Sequence, residues 1–216
     1  MLQQTQVTSV IEYYQRFIQS FPTIKSLAEA DEDKVLEHWA GLGYYARARN
    51  LHKTAKRVVT DLNGQFPDNF EEIVKLPGIG RSTAGAILSI AFKQSACILD
   101  GNVKRVLCRF HGVETWPGEK KTENHLWALA EQHTPEKRND DYTQAIMDLG
   151  ATCCTRSRPK CEHCPFTENC LAFEKSLQTQ LPKPKPKKSI PQRETWIALI
   201  EHEGKILLEK RPPTGI

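Results

Sequence analysis

The sequence of 216 residues contains no apolar run of membrane-spanning length, and no basic-then-apolar segment follows Met1. The first absence argues against a transmembrane helix and the second against a secretory signal, so a soluble, intracellular protein is expected. Strand-like alternation is missing before residue 194, which excludes a body built on sheet. No GxxxxGK[ST] loop occurs, and this argues against nucleoside triphosphate binding. The main body also lacks a charge excess. Through Pro182 there are 22 basic and 22 acidic side chains, and the net charge of +4 comes from the 8 basic and 4 acidic residues that follow. Global charge therefore gives no argument for a nucleic-acid partner.

What is present is helix after helix, with short polar or Gly/Pro connectors. Val7, Ile11, Tyr14 and Phe17 with Ile18 mark the apolar face of a first helix. Further helices are expected at 23–30, 32–40, 46–62, 69–75, 81–92, 102–111, 122–133 and 140–150. Asp31, Thr122 and Asp140 stand at helix starts as candidate caps. The body is thus expected to be all-α, with 39% hydrophobic residues sufficient for a core. The composition changes at LPKPKPKK (181–188), which reads as an extended tether. Residues 194–210 then show two apolar runs around His202-Glu203-Gly204, the pattern of a β-hairpin too short to form a sheet with its own core.

Residues 76–105 carry the chemistry. In Leu76-Pro77-Gly78-Ile79-Gly80 the proline fixes the turn entry, and the glycines permit positive φ and close backbone approach. A helix starting near Arg81 would present unpaired N–H groups and the positive end of its dipole, an anion site suited to phosphate. Twenty residues after Gly80, Asp100 precedes an amphipathic helix bearing Val103, Val106, Leu107 and Phe110. It serves as an N-cap whose position favours the ionised carboxylate. Two basic clusters, Arg47, Arg49, Lys53, Lys56 and Arg57, and Lys104, Arg105 and Arg109, read as solvated helix faces or, given a DNA-binding motif, as phosphate-facing surfaces.

Four of the seven cysteines fall as Cys154-x6-Cys161-x2-Cys164-x5-Cys170. In an intracellular chain this density points to a metal centre rather than disulfides, and the spacing admits either a four-thiolate zinc site or a cubane iron–sulfur cluster. Cys153 leaves the choice of first ligand open, and closing the loop would display Arg156, Arg158 and Lys160 together. Cys97 and Cys108 read as buried helix-face residues.

These features together resemble the helix-hairpin-helix DNA glycosylases with an iron–sulfur cluster, the endonuclease III superfamily, over Met1 to about Ala172. MLQQTQV (1–7), GLGYYARARNLHK (41–53), LPGIGRSTAGAIL (76–88), ILDGNVKR (98–105) and MDLGA (147–151) are similar to its adenine DNA glycosylase branch, the MutY family. The resemblance implies a helical barrel with the hairpin over 1–95, an iron–sulfur helical subdomain over 96–175, a linker over 176–193, and the start of a Nudix-like 8-oxoguanine-reading domain over 194–216. It implies a 4Fe–4S cluster on Cys154, Cys161, Cys164 and Cys170, and double-stranded DNA with adenine opposite 8-oxoguanine or guanine as substrate. By the same resemblance Asp100 is the catalytic aspartate and Asn102 a polar partner holding sugar or water. Gln4 is an intercalating residue, Tyr44 an aromatic wedge, and Gly78, Gly80, Arg81 and Ser82 belong to the DNA-gripping hairpin. A monomer in the cytoplasm of a bacterium, associated with the nucleoid, is expected.

Bifunctional members carry a lysine shortly after the hairpin glycines, whose amine attacks the sugar. Ser82 stands there, so hydrolysis by water without strand cleavage is expected. The family's general acid is a glutamate two residues upstream of the position of Met1. The chain is accordingly read as truncated at both ends, binding DNA but releasing adenine poorly by itself. Other readings are a glycosylase/lyase of the endonuclease III kind, a non-catalytic DNA-binding helical module, and a zinc-stapled interaction domain.

Overall fold

The structure, a computed structural model, describes residues 1–2, 5, 7–186, 192, 194, 196 and 198–208. Its described residues divide into two compact units, Met1–Lys185 and Pro186–Ile216.

The first unit is built of helices and the segments that join them. Its helices are α1 (Val7–Ser20), α2 (Ile24–Glu29), α3 (Glu32–Trp39), α4 (Ala46–Asp61), α5 (Phe70–Ile73), α6 (Arg81–Phe92), α7 (Gly101–Phe110), α8 (Lys120–His133), α9 (Asn139–Asp148) and α10 (Leu171–Glu174). Each helix expected from the sequence is present to within a few residues, because the apolar repeat and the Gly/Pro connectors act locally. Capping is less well read. Asp31 does cap α3, accepting the Asp33 N–H at 2.8 Å. Thr122 instead lies inside α8 and bonds Thr115, while Asp140 lies inside α9 and pairs with Lys93. A polar residue one or two places into a helix has the same sequence signature as a cap.

Three apolar clusters hold the unit together. Val10, Phe17, Phe21, Leu27, Val35, Trp39 and Ala48 form the first, where α2 and α3 pack on α4. Ile73, Ala84 and Leu88 join α5 to α6. Ile98, Leu99, Val103, Leu107, Cys108, Leu126 and Ile146 unite α7, α8 and α9. The expected face of α1 is corrected here: Val10 and Phe17 are buried, whereas Val7, Ile11, Tyr14 and Ile18 are exposed. Two apolar stripes run along this helix, and periodicity cannot say which one the neighbouring helices cover. Cys108 is buried in α7 as expected, but Cys97 lies half-buried in the non-helical run before it.

In the second unit, β1 (Glu201–His202) pairs antiparallel with β2 (Lys205–Ile206) around Glu203 and Gly204. The hairpin sits where the sequence puts it, with both strands exposed.

Candidate nucleic-acid interface and metal centre

The hairpin connects α5 to α6. Gly78 adopts φ +77°, and a Cβ there would collide with the Asn50 side chain, so both backbone and space require glycine. Gly80 differs from expectation: its φ of −91° suits any residue, and a Cβ would project into open space. It is the N-cap of α6 and supplies no side-chain bond, which leaves the first-turn amides uncapped by the residue before them. Thr54 Oγ1 donates to the Pro77 carbonyl at 3.0 Å and ties the turn to α4.

Arg81 is engaged within the protein. Its Nη2 lies 2.5 Å from Glu131 Oε1, and its guanidinium stacks on Trp127 at 3.8 Å from the ring centroid. Ser82 faces inward, its Oγ accepting the Leu99 N–H at 3.0 Å. This bond brings the start of α6 to within one residue of Asp100.

Asp100 caps α7 as expected, with Oδ1 accepting the Val103 N–H at 2.8 Å. No other hydrogen bond to its carboxylate is found among the described residues. Asn102, two residues on, accepts through Oδ1 from Arg105 Nη2 at 2.8 Å. Arg105 also donates to the Gly150 carbonyl at 2.5 Å and to the Cys154 carbonyl at 2.7 Å. One guanidinium thus joins the start of α7 to the first cysteine of the cluster loop.

The basic side chains after Asp100 have partners within the protein. Lys104 pairs with Glu123 at 2.7 Å, which lowers the Glu123 carboxyl below its ordinary range. Arg105 is spent as described. Arg109 is 2% exposed and donates to the carbonyls of Leu181, Thr155 and Arg156 at 2.9, 2.7 and 3.0 Å, and to Cys154 Sγ at 3.3 Å. Charge counting misses this role because a basic residue one turn further along α7 faces the loop instead of water.

Tyr44 stands in the turn between α3 and α4 at φ +49°, a conformation few non-glycine residues hold, and is 62% exposed. The turn is clamped from behind. Trp39 Nε1 donates to the Gly43 carbonyl at 3.1 Å, and Arg47 donates to the carbonyls of Met1, Leu42 and Gly43 at 2.7, 3.3 and 3.3 Å. Arg47 also lies 5.4 Å over the Tyr44 ring. Sequence reading placed Arg47 in a generic basic run, and only its neighbours reveal a clamp. Gln4 lies outside the described residues.

After α9 the chain widens into a π turn, Leu149–Cys153, and then makes two short 3-10 turns, Cys161–His163 and Thr167–Asn169. Cys154, Cys161, Cys164 and Cys170 line one cavity with Cys153, Arg109 and Thr167. None of these cysteines is joined in a disulfide. Burial raises the Cys161 thiol above its ordinary value, and the negative charge of Cys154 and Cys170 adds to the rise. Four cysteine sulfurs lining one cavity are a donor set that fits an iron–sulfur cluster or a four-thiolate metal. Among the described residues no three ligands gather as tightly as a single ion requires. Arg156, Arg158 and Lys160 are all exposed on the loop.

Among the described residues no helix is long and apolar enough to cross a membrane. Residues 1–132 match the HhH-GPD superfamily base excision DNA repair protein family. The chain is 46% identical, over its whole length, to the adenine DNA glycosylase of Buchnera aphidicola subsp. Baizongia pistaciae (strain Bp), of which it covers 61%. It is 47% identical over 84% of its length to the adenine DNA glycosylase of Homo sapiens, covering 33% of that protein. Among solved structures, a thermostable thymine-DNA glycosylase superposes with a TM-score of 0.72 at 28% identity, over 81% of this chain and 80% of the other. An endonuclease III in a non-covalent complex with DNA has the same fold, with a TM-score of 0.69 at 23% identity, over 81% of this chain and 80% of the other. The chain therefore belongs to the HhH-GPD superfamily of base excision DNA repair proteins.

Proposed function

We propose that this chain carries the hydrolytic centre of an adenine DNA glycosylase, acting on adenine opposite 8-oxoguanine or guanine in duplex DNA. The observation that carries the reading is the junction of the α6 N-terminus, entered from Gly80, with Asp100 through the Ser82–Leu99 hydrogen bond. One end suits a phosphate, and the other holds a carboxylate close by.

The bond to be broken dictates the chemistry. As adenine departs, positive charge builds on the deoxyribose, and a fixed carboxylate stabilises it. Asp100 has one oxygen held by the Val103 N–H and the other available, so it meets this need without reorganising. Asn102 presents its amide nitrogen to sugar or water while Arg105 holds its oxygen. Ser82 has no amine to form an imine, so the attacking group is water and the product an intact abasic site. Adenine must leave the base stack first. Tyr44, exposed and clamped from behind, is the wedge, and Gln4 fills the gap. Gly78 shapes the hairpin, and Gly80 lets a phosphate approach the amides of Arg81 and Ser82. Adenine leaves poorly unless N7 is protonated, so the reaction also calls for a general acid, which the Ser-Glu-Val extension used in the test supplies.

Cys154, Cys161, Cys164 and Cys170 hold a 4Fe–4S cluster, which when bound fixes the loop's shape. The residues of the loop then present Arg156, Arg158 and Lys160 to DNA, while Arg109 and Arg105 fasten it to α7.

The test is single-turnover adenine release from a duplex with adenine opposite 8-oxoguanine. It is run on the chain as given and with a Ser-Glu-Val extension ahead of Met1. Release by the extended chain, with weak release by the shorter one and no borohydride-trapped imine, is the expected result. Excision of an oxidised pyrimidine with imine trapping would reassign the chain to the lyase branch.

A further inference from the structure

Between α6 and α7, residues 93–100 run without helix or strand, although Ile98 and Leu99 are each only 3% exposed. A buried backbone without a ladder must find its partners elsewhere. Four amides of this run do so: Lys93 N–H and, at 3.1 Å, Gln94 N–H on the Leu88 carbonyl, Ala96 N–H on Asn139 Oδ1 at 3.2 Å, and Leu99 N–H on Ser82 Oγ at 3.0 Å. The last is adjacent to Asp100. On the next turn of α6, a Cβ at Gly85 would overlap the Cys97 carbonyl, so the run lies directly on that helix. Beyond it, Asp100 turns the chain into α7 through its bond from Val103.

We infer that Ser82 is a positioning residue for Asp100. By accepting the Leu99 N–H, its hydroxyl fixes the Ile98–Leu99 peptide, one residue before the carboxylate, against the start of α6. Gly85 sets the closeness of the two segments, and Ser82 sets their register. A lysine at this position could not do both: protonated, it has no lone pair for the Leu99 N–H, and neutral, its single lone pair either accepts that bond or attacks the sugar. Position 82 can hold a nucleophile or hold the Asp100 backbone. The reaction named here rests on the adenine glycosylase reading; the tether rests on geometry alone.

The test compares Ser82→Ala, Ser82→Thr and Ser82→Cys in the chain bearing the Ser-Glu-Val extension. Readouts are amide hydrogen exchange at Leu99, the single-turnover rate of adenine release, and DNA affinity. In Ser82→Ala, Leu99 exchange should rise and the single-turnover rate fall by about tenfold each, the size expected for one hydrogen bond, with DNA affinity unchanged within about twofold. Ser82→Thr should restore both. Ser82→Cys keeps the volume with a weak acceptor and should behave as Ser82→Ala, which covers the case of an alanine variant that does not fold. Unchanged Leu99 exchange in Ser82→Ala and Ser82→Cys overturns the tether. Faster exchange with a parental rate overturns the positioning role, as does a threonine variant as slow as alanine. If the parent releases no adenine, the substrate assignment fails instead. The inference then stands or falls on Leu99 exchange together with the Asp100 carboxyl carbon shift, which should move in alanine and return in threonine.

Discussion

Tyr44 holds a left-handed backbone that an aromatic residue normally avoids, and it exposes its ring while Trp39 and Arg47 grip the turn behind it. Such strain persists only where the surroundings over-determine it. Removing the ring should therefore leave the fold intact and weaken DNA binding. For Tyr44→Ala we expect about tenfold lower affinity for a mismatched duplex, the worth of one stacked base, with little change in Tm. Asp100 answers to a different measurement. Asp100→Asn keeps an oxygen for the Val103 N–H but carries no charge, so adenine release should fall below detection while DNA affinity stays within a few fold. Arg109 belongs to the loop: Arg109→Met would leave the carbonyls of Leu181, Thr155 and Arg156 without their donor. A loss of about 3 kcal/mol is expected, read as a lower thermal midpoint.

At the scale of elements, the hairpin separates two uses of glycine. Gly78→Ala meets both a positive φ and the Asn50 side chain, and should cost about 1–3 kcal/mol in urea denaturation. Gly80→Ala has neither obstacle and should leave stability within about 0.5 kcal/mol. Its methyl would instead intrude where phosphate approaches the α6 amides, so DNA affinity should drop. The ends of α7 and α8 are joined by His111 and His133, whose Nε2 atoms are 2.8 Å apart. Burial lowers the His111 pKa, and the nearby His133 and His125 lower it further. The unfolded chain then binds a proton at higher pH than the folded one. Stability is full above the ordinary histidine pKa and is lost as pH falls through it toward the folded value. Urea midpoints at pH 7.5 and 5.5 should differ more in the parent than in His111→Gln.

For the whole molecule, cofactor identity is the sharpest measurement. Reconstituted with iron and sulfide, the chain should show broad visible absorbance and about four irons per chain, both lost in Cys164→Ser. Zinc alone without colour would reassign the centre. The helices and the 201–206 hairpin were legible in the sequence, as were the cysteine loop and Asp100 as a cap, because each rests on local periodicity, spacing or turn chemistry. The buried stripe of α1, the inward use of Arg105 and Arg109, and the clamp made by Arg47 were not. Each depends on a partner tens of residues away, and a basic side chain reads alike whether it meets water, phosphate or a carbonyl. The sequence by itself determined the all-α body, the glycine turn ahead of a helix and the serine at position 82. Only the tertiary structure decided that this serine points at the Leu99 amide. Ile98 and Leu99 are buried in a run without a ladder, so their polar backbone must bond to whatever lies beneath them, and packing alone chooses which.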